Sequence, residues 1–319
     1  MNFIEKVILK AIKGKVAKWF DMERSLKEIS GAKKAALESP IKSWPDPEKI
    51  MSGNEVPFSM KNISIVGKYL RSSIDQGMKA ITSISKNPAV SKRTISSEEL
   101  KEIIDKAKSL GIGDVGFCKI PAHLIFQDRA VLYDYAIVLT MEMDLDAILK
   151  APSVDTFKMV MKTYDFLGIA TNKLTTKLRK SGFQAHASHP LGGLALYPPL
   201  AVEAGLGWCG RHGLLITPTF GARQRISAIF VNIDNLPISQ TNEHNWIEDF
   251  CNTCGKCIRT CPEKAILNDP IVHESGRKTH LEREKCLPAF VNKQGCTVCV
   301  KECVFTKYSY DHIKKRFII

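Results

Sequence analysis

The run Cys251-Asn-Thr-Cys254-Gly-Lys-Cys257-Ile-Arg-Thr-Cys261-Pro262, followed by Cys286 and by Cys296-Thr-Val-Cys299-Val-Lys-Glu-Cys303, decides how the rest of the chain is read. A C-x₂-C-x₂-C spacing winds the backbone around one corner of a cubane so that three sulfurs point inward, and the x₃ step carries the next cysteine out of that turn. Eight thiolates so arranged predict two 4Fe–4S clusters. A structural zinc site takes four ligands, usually as two short Cys pairs and often with histidine, and has no use for a run of four cysteines closed by proline. Disulfides are a poorer reading still, because no secretory segment precedes the cysteines.

The spacing is similar to that of bacterial two-cluster ferredoxins, in which the fourth cysteine of such a run ligates the other cluster. Carried onto this chain, the resemblance implies that Cys251, Cys254 and Cys257 hold one cluster with Cys303 completing it, while Cys261, Cys286, Cys296 and Cys299 hold the second. Val304 stands where the mirrored half of the pattern usually has proline.

The 319 residues, 44% hydrophobic and 25% charged, allow one large folded domain with a small one appended and exclude wholesale disorder. A formal net charge of +13 suits an acidic redox partner, an anionic cofactor, a phosphate-bearing substrate or a membrane surface without choosing among them. Two of the ten cysteines, Cys118 and Cys209, fall outside the cluster region and are expected to be buried as small apolar residues. No apolar run reaches the length of a membrane span, and no twin-arginine or cleavable signal is seen, so the expected location is cytoplasmic.

Residues 1–20 place Ile4, Val7, Ile8, Ile12, Val16, Trp19 and Phe20 on one helical face among lysines. A helix packed on the domain is the first reading, and peripheral membrane contact through residues 1–20 the second. A further helical pattern starts near Asp21, after which Pro40, Pro45, Pro47 and Pro57 predict an irregular loop. Helices are expected over 59–84, from Ser97 to Gly111, and from Asp155 to Lys180 with Gly182 as the stop. Strands are expected at 114–120, 135–141, 214–217 and 226–233. Strand, helix and strand in this order predict a mixed α/β core.

Ahead of the cysteines lies Pro199-Leu-Ala-Val-Glu-Ala-Gly-Leu-Gly-Trp-Cys-Gly-Arg-His-Gly-Leu-Leu-Ile-Thr-Pro-Thr-Phe-Gly-Ala-Arg-Gln-Arg225. This segment resembles one shared by corrinoid-dependent reductive dehalogenases and epoxyqueuosine reductases, in which a cobalamin domain precedes a two-cluster ferredoxin module. The likeness runs from about Ser97 to Cys303. It implies an N-terminal helical region over 1–95, an α/β (α+β) corrinoid-binding reductase core over 96–245, and a ferredoxin-like two-cluster module over 246–319. Gly205, Gly207, Gly210 and Gly213, with Thr217, become candidates for contact with the corrinoid, since glycines let backbone approach a large ring. The competing reading is a tight helix-to-strand connection. No D-x-H-x-x-G segment is present to offer cobalt a histidine, in keeping with the resemblance.

Two features separate the branches. Gln184 to Pro198 contains no carboxylate where epoxyqueuosine reductases carry an aspartate, and the helical-repeat tRNA-binding region of those enzymes is not found, so tRNA is an improbable substrate. Reductive dehalogenases instead place a tyrosine on the preceding helix and a basic residue at the second arginine of the Gly-x-Arg-x-Arg run, positions matched by Tyr164 and Arg225. The resemblance implies that Tyr164 donates a proton while Arg225 stabilises the anion left behind. The two must then converge across 61 positions of sequence. His186, His189 and His212 are lower-ranked proton donors. The expected activity is a corrinoid-dependent iron–sulfur reductase taking electrons from a low-potential donor such as ferredoxin or flavodoxin to a small-molecule substrate. The alternatives are an electron carrier or corrinoid activator without a substrate of its own, and an epoxyqueuosine-type reductase acting on tRNA.

Overall fold

The computed structural model describes residues 3–39, 60–274 and 276–318. The proline-rich stretch expected to be a loop lies outside the described residues. The helices are α1 Phe3–Ser25, α2 Met60–Thr82, α3 Ser97–Ser109, α4 Leu145–Leu149, α5 Val154–Lys180, α6 Tyr197–Glu203, α7 Trp246–Cys254, α8 Lys256–Thr260, α9 Arg283–Asn292, α10 Val298–Glu302, α11 Val304–Lys307 and α12 Tyr310–Phe317. The strands are β1 Lys33–Lys34, β2 Val115–Lys119, β3 Ala130–Val131, β4 Tyr135–Glu142, β5 Ala185–Ser188, β6 Trp208–Cys209, β7 Leu215–Ile216, β8 Gln224–Val231, β9 Ile266–Val272 and β10 Lys278–Leu281.

A four-stranded sheet in the order β2-β4-β8-β5 forms the centre, and every pairing in it is antiparallel. The core is therefore α+β, although α4 and α5 separate β4 from β5. Those helices do not make the flanking strands neighbours, because β8 inserts between them. Alternate side chains reach opposite faces: Ile137, Leu139, Ile229 and Val231 join Leu167, Leu174 and Leu178 of α5, while Ala136, Val138, Ala228 and Phe230 join Leu124, Leu194 and Leu200. Both faces are covered, which is why β4 and β8 read as unbroken apolar runs.

Local sequence sets the helix ends. Ser96 caps α3 by accepting the Glu99 N–H at 3.2 Å, and Glu99 Oε2 accepts the Ser96 N–H at 3.1 Å. Ser153 caps α5 by accepting the Thr156 N–H at 3.1 Å. Beyond α5, Gly182 adopts φ +90°, a conformation that suits glycine at a helix stop.

The apolar stripe of α1 is turned inward, with Val16, Trp19 and Phe20 buried. Gly77 of α2 makes the slot, since a Cβ there would stand 2.1 Å from the Trp19 ring. Behind Trp19, the buried Glu23 accepts from Arg129 Nε at 3.1 Å. The described part of the stripe thus contacts protein, as the first reading expects; the side chains of Ile4, Val7 and Ile8 lie outside the described residues. Among the described residues no helix is long and apolar enough to cross a membrane. One hydrophobic cluster joins Val16, Val66, Tyr164, Cys303 and Ile313, so the stretches 1–95, 96–245 and 246–319 share a core.

Candidate functional site

The cysteine run is delivered by two short helices with a sharp turn between them. Cys251 and Cys254 lie on α7, which Gly255 ends in the left-handed region at φ +52°, and α8 then brings Cys257 round. Cys303 caps the end of α10. Cys251, Cys254, Cys257 and Cys303 line one recess of ≈ 290 Å³ of unfilled space, part of it open to solvent, walled by Phe250, Phe305 and His212. The other cysteines are neighbours of each other: Cys286 stands within electrostatic range of Cys261 and Cys296, and Cys299 within range of Cys286, Cys296 and Cys261. Cys299 is also close to Cys257, which puts the two sets side by side. Cys251, Cys254, Cys257 and Cys303 thus gather at one place, and Cys261, Cys286, Cys296 and Cys299 at another.

Burial pushes the Cys251 thiol up to about 12 and Cys286 up to about 11, with Cys299 and Cys303 raised further. Iron binding must displace those protons. Among the described residues no three metal-binding side chains converge on a point that one ion would occupy. Four thiols around one recess, with no histidine or carboxylate replacing one of them, suit an iron–sulfur cluster.

The turn of the ribbon formed by β6 and β7 brings His212 to the wall of this first set. The Arg211 backbone N–H and guanidinium near Cys251 partly offset the effect of its burial. The glycines of the ribbon have reasons within the chain itself. A Cβ on Gly207 would lie 2.0 Å from the Ile216 carbonyl oxygen, and one on Gly210 would lie 2.9 Å from His212 Cε1 and 2.8 Å from Ile216 Cδ1. Gly205 and Gly213 take φ +70° and +76°. Thr217 is fully buried, and its hydroxyl accepts the Phe220 N–H at 3.1 Å. These five positions shape the connection, and a ring is not needed to account for them. Cys118 is buried as expected, whereas Cys209 is only partly so.

Tyr164 and Arg225 meet. Tyr164 projects from α5 and Arg225 from the start of β8, where it pairs in register with Met141. The guanidinium lies 3.9 Å from the Tyr164 ring centroid, and its Nη1 donates to the phenol oxygen at 2.9 Å. Nη2 reaches Met143 Sδ at 3.3 Å, and Nε is buried with no partner among the described residues. The neighbouring Arg223 is used otherwise, donating to Glu142 at 2.7 Å and to the Met143 carbonyl at 3.0 Å. An arginine with a spare buried donor, stacked on a phenol, suits a polar group bound at the same place.

Burial weighs against the three histidines as proton donors near neutral pH. Burial lowers His186 to about 3 and both His189 and His212 to about 4, so each is neutral and shut away from solvent. His189 sits against Gly168, one turn beyond Tyr164, where a Cβ would come within 2.1 Å of its Nε2.

The chain is similar to reductive dehalogenases. It is 33% identical over 184 residues to the tetrachloroethene reductive dehalogenase of Desulfitobacterium hafniense, a match covering 54% of this chain and 33% of that protein. Against the tetrachloroethene reductive dehalogenase of Sulfurospirillum multivorans it is 37% identical over 140 residues, covering 41% and 27%. The epoxyqueuosine reductase of Cyclobacterium marinum is 30% identical over 126 residues, covering 37% and 39%. The chain thus spans about a third of the length of the dehalogenases it matches. In fold it resembles the catabolic reductive dehalogenase NpRdhA, with a TM-score of 0.65 at 17% identity over 91% of this chain and 46% of that one. Residues 244–267 match the 4Fe-4S binding domain family.

Proposed function

We propose that this chain is an iron–sulfur reductase of the reductive dehalogenase type, with two 4Fe–4S clusters on the crossed cysteine sets and a corrinoid at the Tyr164–Arg225 pair. The observation that carries the reading is the contact between Arg225 and Tyr164, because it joins α5 to β8 within the same hydrophobic cluster that contains Cys303. A corrinoid supplies the low-valent cobalt through which electrons reach a substrate. The chain supplies the proton and the environment. Tyr164 Oη is the proton source, and Arg225 Nη1, already donating to that oxygen, stabilises the negative charge left there. Arg225 Nε is the donor left to orient a polar group of the substrate.

The second cysteine set, beside the exposed Lys293, is the entry for electrons from a low-potential protein such as ferredoxin or flavodoxin. Anaerobic reconstitution with iron, sulfide and hydroxocobalamin, followed by cofactor extraction, tests the reading. About eight irons per chain with retained corrinoid support it. Iron without corrinoid makes the chain an electron carrier instead.

A further inference from the structure

We propose that His212 donates a hydrogen bond from its Nε2 to the cluster held by Cys251, Cys254, Cys257 and Cys303, and so raises the reduction potential of that cluster but not of the other. The inference rests on the cluster part of the reading above and is independent of the corrinoid.

His212 lies in the turn between β6 and β7, where Gly210 N–H bonds to the Leu214 carbonyl at 2.9 Å and Gly213 N–H to the Gly210 carbonyl at 2.9 Å. The ring is 3% exposed and lines the recess that the four thiols surround. Its tautomer follows from the backbone. The Leu214 N–H donates to Nδ1 at 3.1 Å, so in a neutral ring the proton is on Nε2. Nε2 is buried and has no partner among the described residues. A buried N–H without an acceptor is costly, and what would fill this recess offers one.

The rest of the turn has the same orientation. Arg211, next in sequence, also brings its backbone N–H and guanidinium near Cys251. Gly210 leaves room for the imidazole, since a Cβ there would press on Cε1 and Nε2 at 2.9 and 3.1 Å. At the second set the donor is backbone: Ala265 N–H bonds to Cys261 Sγ at 3.3 Å. Reduction adds negative charge to a cluster, and a donor to its sulfurs stabilises the reduced form.

The test is an EPR-monitored redox titration of anaerobically reconstituted protein, comparing the parent with His212→Leu and His212→Gln. The leucine variant removes the donor while filling the space, and the glutamine variant returns an N–H near the position of Nε2. In His212→Leu one of the two clusters should show roughly a tenfold smaller reduced fraction at a fixed potential, equivalent to about 59 mV for a one-electron couple, with the other unchanged. His212→Gln should recover most of that shift. Two unchanged potentials in a fully loaded leucine variant would overturn the assignment. Should that variant lose the cluster, ENDOR on the reduced parent labelled with ¹⁵N-histidine decides: a weakly coupled ring nitrogen with an exchangeable proton supports the hydrogen bond, and the absence of both refutes it. A parent protein that takes up no iron would sink the cluster reading itself, whatever the variants do.

Discussion

The two cysteine sets carry the same ligand type and differ in what surrounds them. Cys251, Cys254, Cys257 and Cys303 are walled by Phe250, Phe305 and His212, with Trp246 and Tyr310 stacked behind the phenylalanines. Cys261, Cys286 and Cys296 are flanked by the exposed Lys285 and Lys293, the latter paired with Glu263. The first environment adjoins the core that contains Tyr164. The second carries two exposed lysines. Cluster potentials respond to hydrogen bonds and solvent exposure, and the proposed function has electrons enter at the second set and leave from the first.

The comparison can be broken at its inner end first. Tyr164→Phe keeps the ring against Arg225 and removes the proton, so viologen-driven turnover should fall about 10²- to 10⁴-fold with iron content unchanged. Arg225→Gln should fall similarly, and the double variant should lose far less than the product of the two, because the pair acts as one unit. Full activity in Tyr164→Phe would detach the pair from the chemistry.

The wall of the first set offers the next largest effect. Phe305 is 4% exposed and packs edge-to-face against Phe250 and at a tilt against Trp246. Phe305→Ala should cost about 3–5 kcal/mol and should release iron from the first set before the second, measured by thermal unfolding followed at the cluster absorbance. A smaller disturbance follows from Gly210→Ala, which crowds His212 and Ile216; it should shift the potential of the first cluster alone. Smallest is Lys293→Glu at the outer set, which should leave Tm unchanged but slow reduction by an acidic protein donor severalfold, with the difference shrinking as salt is raised. Equal slowing with a small neutral reductant would show that Lys293 acts on the cluster and not on docking.

The parts legible in the sequence were those governed by short spacing or by one long period. Eight cysteines at fixed offsets, the 27-residue helix α5 and the apolar strands β4 and β8 all declare themselves locally. The sheet order did not, because β8 enters between β4 and β5 through pairings remote in sequence. Strand β5, Ala185-His-Ala-Ser188, is four small or polar residues long and carries too little pattern to be read. The hairpin of β9 and β10, between Cys261 and Cys286, contains Asp269 and Pro270 and looks like a loop until it pairs. Glycines were visible as a cluster, yet whether each served a ligand or a neighbouring carbonyl depended on Ile216 and His212 folding back on them. The Tyr164–Arg225 contact came from resemblance; no local pattern places residues so far apart in one stacked pair.

Iron and acid-labile sulfide per chain, measured with EPR after anaerobic reconstitution of the parent, Cys303→Ser and Cys261→Ser, test the central claim most directly. The crossed assignment predicts about eight irons in the parent, loss of the inner cluster in Cys303→Ser despite its distance in sequence from Cys257, and loss of the outer cluster in Cys261→Ser although it adjoins the first three ligands. A parent with about four irons, or a Cys303→Ser protein that keeps the signal belonging to Cys251, Cys254 and Cys257 while losing the other, would contradict it.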